Sequence, residues 1–89
     1  ENDFDRNTGN VYPNPVSIDF NLDIDLNQSE PIGISIINSY GRIIKSESYY
    51  GTAGINSIHL NLQELSSGFY FTRISRASGQ IVNRKFLKK

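Results

Sequence analysis

The sequence predicts an all-β fold, an Ig-like antiparallel β-sandwich of about seven strands. Apolar and polar residues alternate with a period of two in several stretches, which is the pattern of half-buried strands. Turn-forming residues separate these stretches at intervals of about 8–12 residues, as they do in sandwiches. No stretch carries the 3.6-residue apolar period of a helix over enough positions. With 89 residues, of which 37% are hydrophobic, the chain can form one domain with one modest core.

The first long strand is the clearest element, because its apolar and polar residues alternate strictly. Its apolar positions, which we expect in the core, are Ile18, Phe20, Leu22, Ile24 and Leu26. A second strand follows Pro31, and its apolar positions are Ile32, Ile34 and Ile36. A turn at 39–42 then leads into a third strand, which starts at Ile43 and runs towards Tyr50.

The second half of the chain continues the alternation. A loop at 51–54 precedes a strand whose inward positions are Ile58, Leu60 and Leu62, so that His59 is expected to face solvent. Residues 63–67 are expected to form a single helical turn. The last hairpin consists of strands at 69–76 and 81–87, joined through residues 77–79.

Two prolines, Pro13 and Pro15, flank Asn14 ahead of the first long strand. Along a strand, residues i and i+2 direct their N–H groups to the same side, so the prolines remove donors from one side only. Asn14 can still pair on the other side. The prediction is a stiff edge segment that resists edge-to-edge pairing with other chains.

The net charge is zero, but the charges are segregated along the sequence. Residues 1–30 contain seven carboxylates and a single base, whereas residues 69–89 contain six bases and no acid. One interpretation is that an acidic strand and a basic strand lie near each other in the fold. The other is that the basic C-terminal end is presented to an anionic partner.

The chain carries no pattern that predicts catalysis or a cofactor. Cysteine is absent, which excludes disulfides and thiolate metal sites. Oxygen-bearing residues fall at calcium-loop spacing, namely Asp19, Asn21, Asp23, Asp25 and Glu30. However, Ile24 replaces the glycine needed at the sharp turn, and an extended strand spaces the carboxylates about 6.5–7 Å apart. We therefore expect no metal ion, no cofactor, no catalytic residues and no enzymatic activity.

Nucleic-acid binding is suggested by the aromatic run at 69–71 beside the bases of the last hairpin, which are Arg73, Arg76, Arg84 and Lys85. Stacking rings next to cations are typical of single-strand binders. The neutral net charge and the acidic first strand argue against it, because both oppose a phosphate backbone. We expect no nucleic-acid partner and expect most of these rings to pack in the core.

Residues 1–10 are mostly polar and turn-prone, and we interpret them as a flexible linker to an upstream segment, with the folded domain at 11–89. No apolar run approaches the length of about 20 residues that spans a bilayer. We therefore expect no membrane insertion, and we expect a monomer.

Four motifs occur in order along the chain. They are Tyr12-Pro13-Asn14-Pro15, then Gly41-Arg42, then Leu65 with Gly68, Phe69 and Tyr70, and finally Gly79 followed by Lys85-Phe86-Leu87-Lys88. In this order and spacing they resemble the type A C-terminal sorting domain of the type IX secretion system, over residues 10–89. Phe86, where a β-branched residue is more usual, and Thr72, which interrupts an apolar run, are mild departures from the family pattern.

The resemblance implies a secretion signal. Such a domain directs a folded periplasmic cargo through the outer membrane of a Gram-negative bacterium, to the medium or the cell surface. Its partners would be the outer-membrane translocon and its shuttle proteins, and a sortase-like peptidase would remove it at the upstream linker.

The resemblance also suggests which residues matter. Candidates for contact with the translocon are Pro13, Asn14, Pro15, Lys85, Lys88 and Lys89, the lysines because a small core has no need of them. Structural signature positions are Tyr12, Gly41, Arg42, Gly68, Tyr70 and Gly79. The glycines are expected to serve turn geometry, and Tyr70 is expected to be packed.

The alternative function is an accessory module that binds carbohydrate or a cell surface at the end of a secreted enzyme. It depends on Tyr40, Tyr49 and Tyr50 forming an exposed, coplanar stacking platform.

Overall fold

The computed structural model describes residues 10–12 and 15–89. Their elements are β1 (Asn10–Tyr12), β2 (Asp19–Leu26), β3 (Glu30–Asn38), β4 (Ile43–Gly51), β5 (Gly54–Asn61), β6 (Gly68–Arg76) and β7 (Ile81–Lys88). The prediction of an all-β chain of about seven strands is confirmed. Within the described part of the chain, no helix is long and apolar enough to cross a bilayer. The predicted linker lies almost wholly outside the described residues, as do Pro13 and Asn14.

The strands form two antiparallel sheets packed as a sandwich. One sheet has the order β1-β2-β5 and the other has the order β4-β3-β6-β7. Two local hairpins, β3-β4 and β6-β7, build the larger sheet, and the β2–β3, β4–β5 and β5–β6 connections pass from one sheet to the other. This arrangement buries one face of each alternating strand, which is why the sequence shows a period of two.

The core lies between the two sheets and is built from the inward positions that the alternation predicts. Its buried members include Phe20, Leu22, Ile24, Ile32, Ile34, Ile36, Ile58, Leu60, Leu62, Tyr70, Ile74, Val82 and Phe86. Phe20 of the smaller sheet meets Phe86 of the larger sheet edge-on, with ring centroids 5.1 Å apart. Tyr70 stacks on the same ring at 5.8 Å. These three rings couple the first long strand to the last hairpin.

Two local predictions were wrong. Ile18 precedes β2 and is exposed rather than buried, because the chain bends there and its carbonyl accepts a hydrogen bond of 2.8 Å from the Leu62 N–H. Residues 63–67 do not form a helical turn. The Leu65 N–H donates to the Leu62 carbonyl at 3.0 Å, which closes an ordinary tight turn.

The chain changes sheets at the segment after the proline motif. β1 pairs with β2 at the edge of the smaller sheet, whereas Val16 pairs in parallel with Lys88 at the edge of the larger one. The Val16 N–H donates to the Leu87 carbonyl at 2.7 Å, and the Lys89 N–H donates to the Val16 carbonyl at 2.8 Å. Val16 thus covers the C-terminal end of the β7 edge and ties the two sheets together there.

The opposite edge of the larger sheet is protected by polar groups that point inward. Lys45 and Glu47 of β4 are half-buried, and their Nζ and Oε2 atoms lie 3.6 Å apart. The Tyr49 hydroxyl donates to Glu47 at 3.0 Å, and burial together with that carboxylate raises the pKa of Tyr49. Inward-pointing charges on an edge strand are a known barrier to edge-to-edge association.

Glu30 and Arg76 form a buried ion pair at the far end of the sandwich, where the β6–β7 turn lies. Arg76 donates from Nε and Nη2 to the same Glu30 oxygen, at 2.9 and 2.5 Å. Its Nη1 donates to Gln80 at 3.0 Å. The pair fixes the start of β3 against the last hairpin.

Thr72 supplies a stability test, because its hydroxyl is fully buried and has no hydrogen-bond partner among the described residues. A buried unsatisfied hydroxyl costs about 1–3 kcal/mol, and valine has nearly the same shape. We expect Thr72→Val to raise the free energy of unfolding by about 1 kcal/mol in urea denaturation of the 89-residue chain. A lower stability in Thr72→Val than in Thr72→Ser would contradict this.

Candidate recognition surface

The strand pairings bring most of the motif residues to one end of the sandwich. At this end β3 leads into β4, β6 begins beside the end of β7, and Val16 joins Lys88. The residues placed here, which we call the signature end, are Pro15, Gly41, Arg42, Gly68, Tyr70, Lys88 and Lys89. Gly79 lies in the β6–β7 turn at the opposite end, with a φ of 98°. Motifs that are distant in sequence therefore share one region of the fold.

The Gly-Arg motif belongs to the tight turn between β3 and β4. Gly41 has a φ of 87°, a conformation that residues with a Cβ rarely adopt. The Asn38 side chain accepts hydrogen bonds from the N–H groups of Tyr40 and Arg42, at 3.0 and 2.9 Å. Arg42 itself is exposed. The motif is therefore explained by turn geometry, with an arginine left on the surface.

The Leu-x-x-Gly-aromatic-Tyr step forms a tyrosine corner. Tyr70 is buried near the start of β6, and its hydroxyl donates to the Ser66 carbonyl at 2.7 Å. Such a bond back to the preceding corner is a hallmark of immunoglobulin-like sandwiches. Leu65 packs against the core below it, and Gly68 adopts a φ of 146°. The prediction that Tyr70 is packed is confirmed.

The three C-terminal lysines have different environments. Lys85 is exposed, with its Nζ 4.5 Å from the centroid of the Phe69 ring, and Lys89 is exposed as well. Lys88 is only 6% exposed, and its Nζ donates to the Lys89 carbonyl at 3.1 Å. The expectation that a small core has no need of Lys88 was wrong. Because β7 directs alternate residues inward, Lys88 lies on the inner side, where its stem packs.

The N-terminal motif is described only at its ends. Pro15 is exposed, and Pro13 and Asn14 lie outside the described residues. The Tyr12 hydroxyl donates to the Asp23 carboxylate at 3.1 Å, and this hydrogen bond raises the pKa of Tyr12. The Tyr12 side chain therefore ties the edge strand β1 to β2 across the outer face of the smaller sheet.

Sequence reasoning missed an apolar surface on the outer face of the larger sheet. Phe69 and Phe71 point away from the core and are 51% and 38% exposed, so the expectation that most of the three rings pack in the core was wrong. Only Tyr70 does. The signal was present in the sequence, because three consecutive aromatic residues in a strand cannot all face one side.

The charges of the two long acidic and basic segments point in opposite directions. Asp19 and Asp23 lie on the outer face of the smaller sheet, where they bond to β5, through His59 at 2.9 Å and Ser57 at 3.0 Å. The basic strands β6 and β7 belong to the other sheet. The interpretation that the acidic and basic segments lie near each other therefore holds for Glu30, which pairs with Arg76, but is wrong for these outward residues.

The structure also bears on the calcium-loop spacing and on the tyrosine platform. Glu30, the last residue of the calcium-like spacing, is turned inward onto Arg76, and the described residues contain no group of three or more acidic, His or Cys side chains that could hold a metal ion. Tyr49 and Tyr50 are adjacent in β4 and so face opposite sides, while Tyr40 lies in the turn at the other end of that strand. The predicted tyrosine platform does not form.

The environment of Phe86 predicts that the terminal motif serves the fold. Phe86→Ala removes the ring that meets Phe20 and Tyr70, and we expect a loss of about 3–5 kcal/mol in the free energy of unfolding. Lys89→Ala keeps the backbone bond to Val16 and is expected to change it by less than about 0.5 kcal/mol. Urea denaturation of both variants checks this, and equal effects would refute it.

A family model described as "Secretion system C-terminal sorting domain" matches residues 10–89. The matched segment contains all seven described strands and every residue of the signature end. A search of curated proteins finds no match.

Proposed function

The chain belongs to the family of C-terminal sorting domains of the type IX secretion system, and on this premise we propose that it directs the export of a folded cargo protein. A domain of this family is a sorting signal that interacts with the type IX secretion machinery, and it is not of an enzyme class. Such a signal implies export from a bacterium to the medium or the cell surface. The observation that carries the proposal is that the family match spans the whole described fold.

The proposed route has the cargo cross the inner membrane, fold in the periplasm, and then pass through the outer membrane with the help of the translocon and its shuttle proteins. A folded cargo offers no common surface of its own, so recognition requires a separate domain of constant shape. Residues 11–89 would be that domain. A sandwich whose two sheets are joined by the Val16 bridge and by the Phe20–Phe86 contact provides the required rigidity.

Residues 1–10 would be the linker between the cargo and the sorting domain. We propose that a sortase-like peptidase cuts there after export, so that the cargo is released or attached to the surface. The composition of the segment, polar and turn-prone, suits a chain that must enter a protease site in extended form.

Contact with the machinery is proposed for Pro15, Lys85 and Lys89, whose side chains are exposed, together with Pro13 and Asn14. The lysines would accelerate encounter with an anionic partner. Lys88 is better suited to holding the end of β7 than to contacting a partner, because its side chain is buried.

The rival function, carbohydrate or surface binding, has weaker support. Its tyrosine platform is absent, and the cleft between β4 and β5 that includes Tyr49, Tyr50 and His59 encloses only about 260 Å³. That is below the range of about 300–1,000 Å³ typical of small-molecule pockets.

The direct test is to fuse residues 1–89 to the C-terminus of a reporter that folds in the periplasm, in a bacterium with an active type IX system. We expect the fusion to appear outside the cell or on its surface, because the machinery would recognise the sorting domain on any folded cargo. Immunoblots of medium, surface and periplasmic fractions measure the outcome. We also expect the fusion lacking residues 86–89 to stay in the periplasm.

Two controls make the test specific. The reporter without the domain, and the full fusion in a strain lacking the translocon, should both remain periplasmic. Export of the fusion without the translocon, or retention of a folded fusion when the translocon is present, would disprove the proposal.

A further inference from the structure

A continuous apolar row crosses the outer face of the larger sheet next to the signature end. Cross-strand pairing places Ile37 beside Ile43 on one side and beside Phe71 on the other. Phe69 pairs with Leu87 on the last strand. Paired residues lie side by side on one face of a sheet. We call these five residues the outer apolar row: Ile37, Ile43, Phe69, Phe71 and Leu87.

Ile37 shows that this row is separate from the core. It is only 6% exposed, yet it does not belong to the core cluster between the sheets. Its neighbours on the outer face must therefore cover it, and those neighbours, Phe71 and Ile43, are themselves exposed. The sheet thus carries a small second apolar cluster whose far side faces solvent.

An apolar row on the outer face needs an explanation in an antiparallel sandwich. The solvent face of such a sheet is normally polar, and the smaller sheet follows the rule, since its outward positions include Asp19, Asp23, Ser57 and His59. Singly scattered exposed apolar residues are ordinary. A contiguous row across four strands with three exposed members, two of them phenylalanines, is typical of a protein-binding surface.

The charges around the row determine what kind of partner fits. Lys85 pairs with Phe71 and places its Nζ over the Phe69 ring, and Arg73 lies next along β6. The outward positions of the described strands β3, β4, β6 and β7 include no Asp or Glu. A partner on this face gains from apolar side chains flanked by carboxylates, and a basic partner is repelled.

We infer that the outer apolar row, with Lys85 and Arg73, is the face on which a component of the type IX machinery docks, and that this component presents an apolar surface flanked by carboxylates. The inference rests on the proposed function and specifies the surface through which it acts. Phe69 and Phe71 are the anchors, because exposed aromatic rings contribute most to such interfaces. Lys85 provides charge complementarity beside them.

Two other occupants fit the observations less well. A single-stranded nucleic acid would stack on the two rings, but three of the five row residues are aliphatic and the chain has no net charge. A second copy could place its acidic sheet on the row, but such a head-to-tail contact builds rings or open filaments rather than the two-fold dimer that most homo-oligomers form.

The reporter fusion described above tests the inference with surface variants. Phe69→Thr/Phe71→Thr removes the anchors while keeping strand-compatible residues, and Lys85→Glu reverses the charge. We expect each to lower the exported fraction by about tenfold or more, as hot-spot changes do. The measurement is the ratio of external to periplasmic reporter.

Matched controls replace exposed isoleucines elsewhere on the surface. Ile55→Thr changes a residue that is 63% exposed on the smaller sheet, and Ile81→Thr changes an exposed residue at the other end of the larger sheet. Both should be exported like the parent fusion. Thermal unfolding of each 89-residue variant confirms folding. If the double variant is unfolded, Lys85→Glu, on an exposed lysine, decides alone.

The outcomes distinguish a failure of the docking-face inference from a failure of the proposed function. Normal export of the folded face variants, while export still requires the domain, would overturn the inference and leave the proposed function intact. Failure of the unchanged fusion to be exported would instead disprove the function. If Lys85→Glu is exported normally while the folded double variant is retained, the inference that the partner surface carries carboxylates is overturned.

The rival occupants are tested with the purified chain. Micromolar self-association in light scattering, or binding to oligo(dT) by fluorescence anisotropy, would overturn the inference if Phe69→Thr/Phe71→Thr abolishes it. A monomer that does not bind oligo(dT) supports it.

Discussion

The parallel pairing of Val16 with the end of β7 is the constraint on which the rest of the structure depends. It consists of two hydrogen bonds, to the Leu87 carbonyl and from the Lys89 N–H. With the contact between Phe20 and Phe86, it joins the first and last parts of the chain. Without it, β7 would have β6 as its only backbone partner, and its last residues would be fixed against the smaller sheet by side-chain packing alone. Pro15 and Val16 near the start of the domain and the lysine motif at its end, far apart in sequence, are thereby parts of one structural unit.

This constraint separates the roles of the family motifs. The turn at Gly41, the tyrosine corner at Tyr70 and the buried Lys88 all maintain the shape of the signature end. Under the proposed function the machinery recognises this domain on different cargoes, which requires a constant shape, so the motifs that secure the fold would belong to the signal. The two outer faces differ in chemistry. That of the smaller sheet is acidic and hydrogen-bonded within its own sheet, and that of the larger sheet carries the outer apolar row beside Lys85 and Arg73. Such asymmetry gives a small domain a defined orientation towards a partner.

The sequence predicts the strands well and the surface less well, for physical reasons. Alternation is local, so the inward residues of β2, β3 and β5 follow from the period of two, apart from Ile18, where the chain bends away. The face of a strand with apolar residues at both parities is not decided locally: three consecutive rings cannot all face the core, but the alternation does not show that Phe69 and Phe71 are the two that face outward. The burial of Lys88 and the change of sheet at Val16 depend on which strands become neighbours. That information is tertiary, and no short stretch of the sequence contains it.

Amide hydrogen exchange of Val16 and Lys89 in the 89-residue chain, followed by NMR, tests the central claim most directly. Residues near the end of a chain ordinarily exchange through local fraying at almost no free-energy cost. If the Val16 bridge joins the sheets, both amides should instead be protected to within about 1 kcal/mol of the amides of the central strand β3, since both would open only with the whole domain. Fast exchange at Val16 and Lys89 beside a protected β3 would contradict the account.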